Sequence, residues 1–73
     1  MEVNGEDKRI LDGIRERVHH YPELLLVRFE VQQGVVVIRG SVTTFYVKQI
    51  AQEAIRPVPG ITQVQNQIDV KTN

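Results

Sequence analysis

The sequence predicts an α+β fold: a single small domain of element order αββαβ, with two helices packed on one face of a three-stranded mixed sheet of order 1-2-3. Three observations predict it. Two stretches carry apolar residues at three- and four-residue spacing, and two others alternate with a period of two. Between them lies an unbroken apolar run, Val35-Val36-Val37-Ile38, of the kind found in a central strand. The chain has 73 residues, enough for one compact domain, so all these elements must share one core.

The first helix is predicted over residues 5–20, where Ile10, Leu11, Ile14, Val18 and Tyr21 form one apolar stripe. Asn4 is a good N-cap, and Asp7 three residues on completes a capping-box-like pair. Glu6 and Asp7 in the first turn, with Arg15, Arg17, His19 and His20 toward the end, suit the helix dipole. Pro22 forces Tyr21 out of helical geometry and stops the helix. A strand follows over 25–32, with Val27, Phe29 and Val31 on one face and Arg28, Glu30 and Gln32 on the other. If Gln33-Gly34 forms a two-residue loop, Gln32 faces Val35, Val31 faces Val36, Glu30 faces Val37, Phe29 faces Ile38 and Arg28 faces Arg39. The apolar face of the first strand then meets Val36 and Ile38 without adjustment.

The second strand is predicted over 35–40, ending at Gly40, and Thr43 or Thr44 caps a second helix over 44–56. That helix presents Val47, Ile50, Ala51, Ala54 and Ile55 on one face, its alanines suited to close approach to the sheet. The breaker Pro57-Val58-Pro59-Gly60 precedes a last strand with Val64, Asn66, Ile68 and Val70 on one face and Gln63, Gln65, Gln67, Asp69 and Lys71 on the other. A strand-helix-strand crossover joins parallel strands with right-handed connection, which makes the valine-rich strand central. Val36 and Ile38 then lie under the helices, while Val35 and Val37 lie on the open face. The domain is expected to span 5–71, with tails at 1–4 and 72–73.

Composition narrows the function. Nine basic and nine acidic residues cancel, so the strong positive field of a nucleic-acid binder is absent and no nucleic-acid partner is expected. There is no cysteine for a disulfide or a thiolate metal site. No apolar run approaches the ~18 residues of a membrane helix, and the opening Met1-Glu2-Val3-Asn4-Gly5-Glu6-Asp7-Lys8-Arg9 does not read as a secretory signal, so the chain as it stands reads as cytoplasmic. Gly34–Gly40 lacks the Gly-Lys-Ser/Thr ending of a phosphate loop, and no nucleophile elbow or buried carboxylate pair is evident. Asp12 and Glu16 share a solvated side of the first helix. His19 and His20 point ~100° apart on a helix and suit a helix end better than a shared ion. No enzymatic activity, cofactor or metal is expected.

The segment Gly34-Val35-Val36-Val37-Ile38-Arg39-Gly40-Ser41-Val42, the helix bearing Ala51 and Ala54, and Pro59-Gly60-Ile61-Thr62-Gln63-Val64-Gln65-Asn66 together resemble the BON domain family, named for bacterial osmotic-stress and nodulation proteins. The resemblance covers Ile10 to Val70. It implies the αββαβ fold, no defining catalytic residues, and a setting in the periplasm or envelope, where members are proposed to bind phospholipid surfaces or envelope components. The sequence departs from the usual pattern in having one copy, no visible export signal and no accompanying module.

Two surfaces are candidate sites. On the open sheet face, Val35 and Val37 are flanked by Arg28, Arg39 and Glu30; the opposed arginines repel, and an anion or a partner carboxylate relieves them. The plainer account is a solvated face whose valines serve strand propensity. Phe45 falls opposite the apolar stripe of the second helix, where it can enter a lipid interface or a partner's pocket, unless the helix begins later and tucks it in. The expectation is a non-catalytic binding module that engages an anionic phospholipid surface or a protein partner. The alternatives are a homodimer built through the open face or a strand edge, and, by family analogy alone, sensing of a small ion or metabolite.

Overall fold

The computed structural model describes residues 4–71; of the expected tails, 1–3 and 72–73 lie outside the described residues. The first helix, α1, spans Gly5–Val18. Asn4 caps it as expected, its side chain accepting from the Asp7 N–H at 2.8 Å. Ile10 and Ile14 from its apolar stripe are buried, with Val18 and Tyr21 packed beside them. The helix stops two residues short of the expected end. His19 is the C-cap, and the N–H groups of His20 and Tyr21 donate to carbonyls only three residues back.

The first strand also begins later than expected. A 3-10 turn at Pro22–Leu24 comes first, and Leu25 N–H donates to Pro22 O and Val27 N–H to Leu24 O. These local bonds hold the backbone in turns until Arg28, so β1 is only Arg28–Gln32. Leu24 is fully buried and Val27 nearly so, whereas Leu25 and Leu26 are each 83% exposed.

The second strand, β2, runs Val35–Val42, and its antiparallel register with β1 is the expected one, from Gln32↔Val35 to Arg28↔Arg39. The two loop residues both have positive φ, 52° at Gln33 and 81° at Gly34, as a tight two-residue hairpin requires. Gly40 does not end the strand. It continues it with φ +152°, a backbone conformation that residues with a side chain rarely adopt.

The second helix, α2, is Phe45–Ala54, capped by Thr44, whose hydroxyl accepts from Val47 N–H at 3.3 Å. The last strand, β3, is Gln63–Val70 and pairs in parallel with β2. The sheet order is β1-β2-β3, with β2 central as expected. Ala51 and Ala54 are fully buried, and α1, α2, Val36, Ile38 and Ile68 close one core. Val58, inside the breaker, joins that core at Gly13 of α1; a Cβ on Gly13 would lie 2.9 Å from Val58 Cγ1.

Candidate functional site

The sheet's open face is polar and shallow. Val36 and Ile38 are sealed under the helices, while Val35 and Val37 alternate with them on the other side and are half-buried. Arg28 does lie opposite Arg39. Arg39 is already engaged, however: its Nε is 3.3 Å from Glu30 Oε1 and its guanidinium donates to Gln67 Oε1 at 2.9 Å. The diagonal Glu30 thus absorbs much of the repulsion that invited an external anion. Arg28 makes no ion pair among the described residues.

The larger apolar surface is at one end of the sheet. Segment 25–27 leads into β1 and lies beside Gly40 of β2; Val42, Thr43 and Val47 share a shallow groove with Leu25 and Leu26. From this end α2 begins with Phe45 and Tyr46, which are 72% and 63% exposed. Phe45 is therefore on the surface, as its helical position predicts. Leu25 and Leu26 escaped sequence reasoning because they were placed in a strand. The signal was present: three consecutive leucines follow Pro22-Glu23, and one core position, filled by Leu24, cannot bury them all.

A second apolar feature lies between α1 and β1. A groove of about 540 Å³ is lined by Leu11, Val18, Tyr21, Leu25, Val27 and Phe29, together with Arg15 and His19, and so shares Leu25 with the apolar end. Phe29 stays only partly buried although it faces the helices. The His19 and His20 rings meet edge to face with centroids 5.8 Å apart.

The one buried charged side chain among the described residues is Asp7, at the far end of the molecule. Its Oδ2 accepts from Gln33 N–H at 2.8 Å and its Oδ1 from Gly34 N–H at 3.0 Å. The expected capping pair is thus realised only in part: Asn4 caps Asp7, but the Asp7 carboxylate caps the hairpin turn.

The αββαβ order, the glycine-bounded central strand and the helix with its buried alanines coincide with a comparison against family descriptions. The BON domain matches over residues 7–72. The chain belongs to the BON domain family. Among curated proteins no match was found. BON domains are in general small binding modules and occur in bacterial envelope-associated proteins. No helix among the described residues of this BON domain is long and apolar enough to cross a membrane.

Proposed function

We propose that this BON domain is a non-catalytic binding module that docks on an anionic phospholipid surface with the apolar end of its sheet leading. The observation that carries this reading is the exposure of Leu25, Leu26, Phe45 and Tyr46 at one end of so small a protein. Aliphatic side chains enter the acyl boundary, and a tyrosine, with an apolar ring and a polar tip, suits the headgroup level. Arg28 opens β1, Lys48 lies in the first turn of α2 and Lys71 directly follows β3, so cations near this end can meet anionic headgroups although the whole chain is neutral.

Of the open-face residues, Arg28 fits this docking pose as a headgroup contact. Arg39, held by Glu30 and Gln67, contributes less, and Val35 and Val37 sit away from the leading end. Co-sedimentation with phosphatidylglycerol-containing vesicles tests the reading. The wild-type chain binds these and not pure phosphatidylcholine. Leu25→Ser/Leu26→Ser weakens binding about tenfold or more, since removing each leucine forfeits roughly 1.5 kcal/mol or more of burial. Absence of wild-type binding, or binding unchanged in the double variant, overturns it.

A further inference from the structure

The two margins of the sheet differ. In β3, Asn66 Oδ1 accepts from Ile68 N–H at 3.3 Å while its Nδ2 donates to Lys48 O at 2.8 Å, so that margin is tied to α2 and partly satisfied from within. Margin β1 has no such closure. In a two-residue hairpin the pair flanking the turn, Gln32↔Val35, exchanges both main-chain bonds, and the bonding alternates from there. Glu30 and Arg28 therefore bond to β2, and the N–H and C=O groups of Phe29 and Val31 point outward. Beside them lies the apolar groove under α1, with Phe29 only partly covered.

We infer that this margin pairs with β1 of a second copy, antiparallel about a two-fold axis through Phe29, to give one six-stranded sheet. Charge selects both the occupant and the register. With the axis at Phe29, Arg28 of each copy stands opposite Glu30 of the other, forming two cross-strand ion pairs on the open face. Arg28, without an ion-pair partner among the described residues and facing Arg39, gains a carboxylate; Glu30 then bridges Arg39 of its own chain and Arg28 of the second copy. A shift that places Phe29 against Val31 sets Glu30 directly against Glu30, which repels. An axis at Val31 sets Glu30 against Gln32 and leaves Arg28 without a partner. The Phe29 axis also brings the two Phe29 rings together on the helix side, where the two grooves join across the axis.

This contact shares Arg28 with the lipid-docking pose, and its groove shares Leu25 with the apolar end, so it is tested without lipid, where its failure is distinguishable from a failure of lipid docking. Sedimentation equilibrium without lipid, from 10 μM to 1 mM (~100-fold in concentration, enough to span a weak dimer), tests it through charge reversal. The wild-type chain dimerises in this range. Arg28→Glu alone and Glu30→Arg alone each raise the dimer dissociation constant by about tenfold or more, because two attractions become two repulsions. The double variant Arg28→Glu/Glu30→Arg restores dimerisation, with circular dichroism confirming that all four chains are folded. A wild-type chain monomeric at 1 mM overturns the inference, as does a dimer indifferent to both reversals or one that the double variant fails to restore.

Discussion

Asp7 joins two turns that are distant in sequence. Its own N–H is taken by Asn4, which starts α1, and its two carboxylate oxygens accept from consecutive N–H groups at the tip of the β1–β2 hairpin. The side chain is 5% exposed, so water does not replace it readily. Asp7→Ala leaves two N–H donors without their acceptor, one of them in a buried bond, and is expected to cost about 2–4 kcal/mol, read as a lower urea midpoint at unchanged slope. Asp7→Asn has one acceptor oxygen in place of two and recovers at most part of that loss. The sequence identified Asp7 as a first-turn acid; its second role needs the tertiary placement of the turn and has no local pattern.

At the scale of elements, the hairpin turn and its neighbours make the sharper predictions. Gln33 holds φ 52°, a conformation in which asparagine is at ease and glutamine is not. Gln33→Asn is expected to stabilise the domain by about 0.5 kcal/mol in thermal or urea unfolding, its N–H to Asp7 being retained. Gly34→Ala is expected to destabilise it by about 1–2 kcal/mol, since φ is +81° and the new Cβ meets Thr62 Oγ1 at 3.0 Å. Gly13→Ala sets helix propensity, worth about 1 kcal/mol in its favour, against a 2.9 Å clash with the stiff branched side chain of Val58. The clash is expected to win, and Gly13→Ala in a Val58→Ala background should be less harmful than in the wild type. Such contacts mark where sequence reading ran out. Strand pairing, sheet order and the buried faces were legible because period-two and helical spacing report directly on which side of an element is covered. Leu25, Leu26 and Val58 were not, because each sits where proline and local turns decide the backbone, and there spacing carries no information about burial. On the open face, the sequence pointed to opposed Arg28 and Arg39 with Glu30 beside them; that Arg39 is engaged by diagonal Glu30 and by Gln67 directly opposite on β3 appears only in the formed sheet.

The whole molecule sets a contrast between what holds the fold and what it presents. Among the described residues, all the fully buried side chains belong to one cluster between two helices and one face of the sheet. A chain of 73 residues has roughly 4–11 kcal/mol of stability to draw on. Ile38, at 0% exposure in the central strand, is therefore close to indispensable: Ile38→Ala is expected to cost about 2–5 kcal/mol, enough to unfold a large share of the population. Leu25 and Leu26 are larger apolar groups than many in that core, yet the same loss of aliphatic surface there removes almost nothing that the folded state shelters from water. Leu25→Ser/Leu26→Ser is expected to leave the urea midpoint within about 0.5 kcal/mol of wild type. A stability loss above about 1 kcal/mol in that variant would return the two leucines to the core and remove the apolar end as a docking surface.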